Sequence, residues 1–327
     1  MTDRNELQDL VVSFQSGKWQ PVADIERPFA HHRNNVPSPG SVWQYPLGKG
    51  DIDLSVIIPT SDAYRDGYFL KLLSQIGYQD YSNFEVIVVR GDPRQGRAIN
   101  TGASLAQGKH LLTLDDDTSL PDAETFSKLV TVMDTHPEIG MAGGNNVIPE
   151  DASFFVRRVM IELPRRSWEP VSEITDSDLA EHPCIIMRAA EFKSIGGENE
   201  LIPRGLDPYL REEYRKIGKR VVVVPKVIYH HLPPDSLKKL LKQSFRNGRQ
   251  AAFVNRNYPR WVIETPSKHG TFVPRRPLWV RMLRYPLRLM CTLLTGRWIW
   301  FMHQMFYAAG FVFFWVNDIW KSPAKRR

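Results

Sequence analysis

From residue 54 onward the chain alternates short apolar runs with helical periodicity, and this alternation limits its fold more than any other feature. Leu54-Ser55-Val56-Ile57-Ile58 is short, β-branched and stopped by Pro59. A continuous apolar run of that length reads as a strand buried on both faces. Tyr68, Leu72, Leu73 and Ile76 follow at helical spacing. Phe84–Val89 is a second buried strand, residues 97–107 a short helix closed by Gly108, and Lys109–Leu114 a third strand running straight into Asp115-Asp116-Asp117. Phe126, Leu129, Val130 and Met133 mark one face of the next helix. Strands alternating with helices predict an α/β fold with a doubly wound, mostly parallel sheet. Ligands of such sheets bind beyond the carboxyl ends of the strands, where the three aspartates fall.

The flanks read differently. Residues 1–50 are polar and carry prolines at 21, 28, 37, 39 and 46. They are expected as an irregular N-terminal extension with little core of its own, the alternative being a strand or two packed on the main domain. A second part of the α/β unit begins near Met141. Its segment 157–183 is rich in charge and proline and resists assignment. Cys184–Met187 reads as a strand, Ala189–Ile195 as a helical turn ended by Gly196-Gly197, residues 208–217 as a helix ended by Gly218, and Val221–Val224 as a strand. The expected units are thus 1–50, 51–235 and 236–327.

In the last unit, residues 236–252 form a basic amphipathic helix with Leu237, Leu240, Leu241 and Phe245 on one face. Arg281, Arg284 and Arg288 recur at i, i+3, i+7, and Pro286 is expected to kink or split their helix. Trp298–Val316 then runs 19 residues without Asp, Glu, Lys or Arg and holds three Trp and five Phe. That is just long enough to span a bilayer, for which about 20 residues are required. Both flanks are basic, so a single span would place one basic flank outside, against the positive-inside bias. The favoured expectation is monotopic or re-entrant helices on the cytoplasmic face of the inner or plasma membrane, arginines on anionic headgroups. A true span ranks second and a core helix pair or oligomer interface third.

Forty-three Lys and Arg against 36 Asp and Glu leave a net charge of +7. Basic charge interleaved with apolar runs, without a recognisable nucleic-acid module, argues against nucleic acid as the partner. Two cysteines, Cys184 and Cys291, are too few for a disulfide framework or a Cys-based zinc site. The charged start MTDRNELQDL lacks an apolar core, so no cleaved secretory signal is expected.

Chemistry concentrates in Leu114-Asp115-Asp116-Asp117-Thr118. Three adjacent acids repel one another unless something offsets their charge. A divalent cation, Mg²⁺ or Mn²⁺, is the economical solution; a solvated acidic loop or helix cap is the alternative. LSVIIPT at 54–60, FEVIVV at 84–89, Gln95-Gly96-Arg97-Ala98-Ile99-Asn100-Thr101-Gly102 and LTLDDDTSLP at 112–121 occur in this order. With these motifs residues 54–231 resemble the family 2 glycosyltransferases of the GT-A fold, which use nucleotide-diphospho-sugars. The resemblance implies a metal-dependent, inverting transferase. Asp115, Asp116 and Asp117 match the family's DXD motif, with Asp115 near the nucleotide ribose and Asp117 on the metal. Pro59, Thr60 and Asp62 match the loop lining the nucleotide pocket. Arg97 and Asn100 match a Gly-Lys-x-x-Ala-x-Asn-like segment, Arg replacing Lys, and Arg97 is expected on a phosphate or the base. Many members carry an Asp-Asp-Gly-Ser loop after the second strand; this chain has Arg90-Gly91-Asp92-Pro93, and Asp92 is assigned that loop's role in contacting the base.

Gly196-Gly197 followed by Gly205-Leu206-Asp207-Pro208 looks like the family's second site motif, in which an aspartate is the general base. Asp207 matches that base. Leu206 stands where the family has Glu, and as an apolar neighbour it is expected to raise the carboxyl's pKa. The plain alternative for Asp207, before Pro208, is a helix N-cap. His231, favoured over His230, is expected on the metal or diphosphate; a His pair at a strand end is otherwise surface. Arg204, Arg246 and Arg249 are candidates for phosphate, acceptor or lipid, a solvated basic face being the alternative. The expectation is transfer of a sugar to a glycan or lipid-linked acceptor at a membrane surface. Its rivals are an inactive glycan- or membrane-binding scaffold and a sugar nucleotidyltransferase. The latter usually needs a Gly-rich loop after the first strand, where this chain has Pro59-Thr60-Ser61-Asp62.

Overall fold

Strand residues alternate between two cores, and that alternation fixes the layers. The computed structural model describes residues 4–46, 51–264, 266, 268–270 and 276–318. Among these, the strands are β1 (Gln20–Pro21), β2 (Ser41–Pro46), β3 (Leu54–Thr60), β4 (Phe84–Arg90), β5 (His110–Thr113), β6 (Thr118–Ser119), β7 (Ile139–Asn146), β8 (Thr175–Asp176), β9 (Ile185–Arg188) and β10 (Arg220–His231). The helices are α1 (Arg4–Ser16), α2 (Tyr68–Gly77), α3 (Gln95–Leu105), α4 (Thr125–Thr135), α5 (Phe154–Glu162), α6 (Ala189–Ser194), α7 (Leu206–Lys216), α8 (Leu237–Asn257), α9 (Leu278–Leu294) and α10 (Trp298–Phe313), the last continuing into a π-helical turn, Phe314–Asp318.

Val56 and Ile58 of β3 face the core made with Phe69, Leu72 and Leu73 of α2 and Phe126 and Leu129 of α4. Ile57 faces the opposite core, with Ile99 and Ala103 of α3, Phe192 of α6 and Leu210 of α7. The period of two puts successive side chains on opposite faces, so one β-branched strand serves both layers. Gly102 lets α3 lie against the sheet: a Cβ there would stand 2.6 Å from the Ile57 Cγ2.

The sheet runs in the order β1-β2-β4-β3-β5-β9-β7-β10-β6, with β8 beside β10. β4, β3 and β5 are parallel, as are β7 and β10; β9 is an antiparallel strand between β5 and β7. Of the two readings of the N-terminal stretch, the structure shows strands packed on the main domain rather than an irregular extension. β2 pairs antiparallel with β4 along its whole length, from Ser41↔Arg90 to Pro46↔Glu85. Val42 and Trp43 are buried, and the Phe14 ring meets Trp19, Trp43 and Phe69 edge-on at 5.0–5.5 Å. Pairing is possible because four of the five prolines precede β2 and the fifth is its last residue, so none removes a donor from its middle.

The C-terminal helices form a close pair. A Cβ on Gly248 of α8 would lie 1.9 Å from the Tyr307 carbonyl oxygen, and one on Gly310 of α10 would lie 2.0 Å from that of Phe245. The two glycines let the backbones touch. Ser244 Oγ and His303 Nδ1 are hydrogen-bonded at 2.7 Å, and Arg249 pairs with the buried Asp318. The Glu162 carboxylate of α5, 3 % exposed, accepts the Ile299 and Trp300 amides at 2.8 and 3.1 Å. A buried anion thereby satisfies the open N–H groups at the start of α10. α9 is not split at Pro286; it runs unbroken from Leu278 to Leu294. The segment Trp298–Asp318 is long and apolar enough to cross a membrane by length and composition, and its packed face lies along α8.

Gly310→Ala is expected to cost about 1–3 kcal/mol, since a backbone carbonyl cannot yield as a side chain would. A urea-unfolding midpoint measured in detergent checks this; an unchanged midpoint would show that α10 does not pack as described.

Candidate active site

A cleft of about 720 Å³ opens at the carboxyl end of β3 and the loop after β5, bounded by α7 and α8. Volumes of this order suit a small-molecule ligand. Its floor is the 115–117 loop. Thr60, the last residue of β3, donates its hydroxyl to Asp116 Oδ2 at 2.7 Å. Gln95 Nε2 donates to Asp115 Oδ1 at 2.9 Å. Arg65 donates to Asp117 Oδ2 through Nε (3.1 Å) and Nη2 (2.7 Å) and stands 3.5 Å from Asp116.

β10 carries the fourth ligand-type group to the same place. Its register shifts between Val223 and Ile228, and its end pairs with β6, His231 opposite Thr118. His231 Nε2 therefore stands 3.1 Å from Asp117 Oδ1 and 3.8 Å from Asp115 Oδ2. His230 points the other way, its Nδ1 on the Val147 carbonyl at 2.6 Å. Ligand atoms of Asp115, Asp117 and His231 all lie within 4.8 Å of one another. Two carboxylates and an imidazole fit Mg²⁺ or Mn²⁺. Burial pushes the Asp115 carboxyl up to about 6, against the pull of His231. Burial acts on Asp117 too, but His231 and Arg65 together hold it well below the usual carboxylate range.

Several residues singled out in the sequence sit elsewhere. Asp62 is exposed and does not line the cleft; its Oδ1 accepts the Tyr64 and Arg65 amides at 2.9 and 3.0 Å. It builds the turn that aims Arg65, a turn in which Ala63, Arg65 and Asp66 all have positive φ (58°, 48° and 54°). Such backbone strain persists only where surrounding structure enforces it. Arg97 is 2 % exposed and does not line the cleft. Its face of α3 turns inward, where Nε and Nη2 bond Asp92 at 2.7 and 3.0 Å. Asp92 also accepts from the Ser38 hydroxyl (2.6 Å) and the Arg94 amide (2.8 Å). Its carboxylate is thus buried and committed, although the residue borders the cleft. Asn100 is fully buried and clamps the 198–200 loop, donating to the Glu198 carbonyl at 2.9 Å and accepting the Glu198 amide at 2.8 Å. Arg249 is drawn to Asp318 and leaves the cleft; Arg204 and Arg246 line it, as do Pro59 and Thr60.

Across the cleft, Asp207 lies in the first turn of α7. It is not the N-cap, which is Gly205 at φ 83°. Asp207 Oδ1 instead accepts the His182 amide at 2.7 Å and faces His182 Nδ1 at 2.5 Å. His182 Nε2 meets Glu198 Oε1 at 2.7 Å. A buried imidazole is thus held between two carboxylates. Burial works against both charged forms, but the pair prevails: the His182 pKa rises well above the ordinary value and Asp207 is held well below it, with Arg211 adding to the pull. The Asp207 pKa is not raised as expected: burial pushes it up, but His182 outweighs burial, and the Leu206 side chain packs in the cluster of Ile202, Tyr209 and Phe253. Asp207 remains 29 % exposed on the cleft side, and its Oδ2 has no hydrogen bond among the described residues.

Sequence reasoning missed Arg65, Arg166, His182 and Glu198. Glu198 follows Gly196-Gly197, so its motif was in view. His182 lay in the segment without an assignment. A non-glycine strained turn leaves no mark that would single out Arg65.

A mixed sheet with its acidic loop at the carboxyl strand ends, facing one carboxylate across a nucleotide-sized cleft, defines the GT-A class of nucleotide-sugar transferases. Residues 90–190 match the model of the family described as Glycosyl transferase family 2. A mannosyltransferase, PcManGT from Pyrobaculum calidifontis, in complex with GDP-Man and Mn²⁺, superposes with a TM-score of 0.53 at 13 % identity, covering 97 % of this chain and 98 % of its own. S. aureus TarS 1–349 gives 0.42 at 17 % identity over 64 % of this chain and 72 % of its own. No curated protein matches the sequence. Residues 90–190 are thus of the family 2 glycosyltransferase type, and the chain as a whole has the GT-A fold of a transferase.

His182→Gln is expected to destabilise the fold by about 3–5 kcal/mol, the cost of breaking a buried ion pair. The gap should vary with pH in a set way. Asp207 is depressed, so its contribution is full above 3.8 and lost as pH falls through its lower folded value. His182 is raised, so its contribution is full below 6.5 and lost as pH rises through its higher folded value. Urea unfolding of both proteins should show the widest gap between 3.8 and 6.5. A pH-independent gap would contradict the pairing.

Proposed function

We propose that this glycosyltransferase is metal-assisted and inverting, with Asp207 as the general base and a glycan or lipid-linked acceptor. One observation carries the reading: the acid–histidine cluster and the open oxygen of Asp207 line one cleft. Asp115, Asp117 and His231 would hold Mg²⁺ or Mn²⁺, which when bound supplies positive charge beside the donor diphosphate. Asp116 is fixed by Thr60 and shapes the loop. Arg65, Arg166, Arg204 and Arg246 line the same cleft and suit phosphate oxygens.

The chemistry asks one thing of Asp207. As the acceptor oxygen bonds to the anomeric carbon, the bond from that carbon to the diphosphate breaks, and the acceptor proton passes to Asp207. The nucleoside diphosphate leaves with the electron pair, and the anomeric centre inverts. His182 fixes the carboxylate through Oδ1 and leaves Oδ2 toward the acceptor. An ionised carboxylate this stable is a weak base at rest. It suffices because the acceptor hydroxyl becomes acidic only as the new bond forms.

The membrane reading is part of this proposal: α9 and α10 seat the enzyme on the cytoplasmic face. The exposed apolar side chains of α9, of the outer face of α10 and of the turn after it, among them Phe306, Val312 and Val316, support it.

With a transferable donor, Asp207→Asn is expected to lower kcat about 10²–10⁴-fold, the usual worth of a positioned base, while the donor KM stays within a few-fold. Proton NMR of the first product should show the anomer opposite to the donor's. Wild-type turnover in the variant, or a retained anomer, would overturn the assignment.

A further inference from the structure

A second chamber, about 450 Å³, lies between α9, α10 and the end of α5. Arg204, Arg276, Arg281, Arg284 and Arg288 line it, against one carboxylate, Glu264. Glu264 is 3.4 Å from Arg281. Among the described residues the other four guanidinium groups have no carboxylate partner. Trp300 also lines the chamber, and its buried Nε1 donor has no partner. Like charges gathered beside an unmet donor call for an anion, and planar guanidinium groups match phosphate oxygens.

The helix that supplies three of these arginines is divided lengthwise. Arg281, Arg284 and Arg288 recur at i, i+3, i+7 and form one stripe. Trp279, Met282, Leu283, Leu287, Met290 and Leu294 occupy the opposite side and are 57–82 % exposed. That outward side suits lipid acyl chains, while the arginine stripe faces the chamber. The chamber also borders the donor cleft, since Pro164, Arg204 and Ile263 line both.

We infer that this arginine-lined chamber binds the phosphate or diphosphate headgroup of a membrane lipid that carries the acceptor, held where it opens toward the donor cleft. The inference rests on the transferase reading for the word acceptor; anion binding by the chamber stands apart from it. A free phosphate would satisfy the arginines equally, but it would leave the apolar side of α9 without a role. The occupant is therefore lipid-borne.

The test uses the full chain in non-ionic detergent, with dodecyl phosphate as the probe and tryptophan fluorescence as the readout. Inorganic phosphate and dodecanol separate the headgroup from the tail. Dodecyl phosphate is expected to bind at least tenfold more tightly than either. R284Q/R288Q is expected to weaken it at least tenfold while keeping the wild-type melting temperature and metal-dependent donor binding. Equal binding by the double variant, or equal affinity for inorganic phosphate or dodecanol, would overturn the inference. If lipid phosphate binds as expected but no nucleotide sugar binds the wild type, the transferase reading fails and the chamber does not.

Discussion

Three consecutive carboxylates at a strand end must be held against their own repulsion, and much of the site is organised around that constraint. Each acid has its own restraint: Gln95 on Asp115, Thr60 on Asp116, Arg65 and His231 on Asp117. These partners come from the end of β3, the turn after it, the start of α3 and the end of β10. The parallel strand ends supply the position, and the shifted register in β10 supplies the imidazole. The resulting site is negative at its floor and ringed by arginines. That is the charge order a metal-bound diphosphate requires.

Behind the cleft, buried ion pairs act as scaffolding. Arg97 and Asp92 tie α3 to the stretch around Ser38, and Asn100 with Glu200 ties it to residues 198–200 and to Arg27. Such pairs do not stabilise simply by being buried, because desolvation offsets much of the attraction. Their evident use here is positional. They lace the N-terminal stretch and the 198–200 loop across one helix, and through Glu198 they set His182 and hence Asp207.

The core strands and the acidic loop were legible because each is written in a few contiguous residues. β-Branched runs mark strands wherever they pack, and three acids after such a run mark a strand-end site. Arg97 and Asn100 were read correctly as helical, yet assigned to the ligand. Which face of α3 turns inward depends on partners 60 or more residues away, such as Val36 and Glu198. The N-terminal stretch was left open between an irregular extension and a packed strand for a related reason. Its prolines signal irregularity, while the pairing of β2 depends on the distant edge of β4. His182 stayed hidden because a lone histidine in a charged, proline-rich segment has no local pattern. At the C-terminus the sequence showed apolar length, and the structure adds that α10 is bound along α8 through paired glycines and a buried Glu162.

Metal-dependent donor binding tests the central claim most directly. The measurement is the melting temperature of the detergent-solubilised chain with UDP-, GDP- and dTDP-sugars, with and without Mn²⁺. A ligand that binds only the folded state raises that temperature. The expected result is a rise with one nucleotide, seen only with Mn²⁺ and lost in Asp117→Ala. No rise with any nucleotide in the presence of Mn²⁺ would contradict a donor site at Asp115, Asp117 and His231.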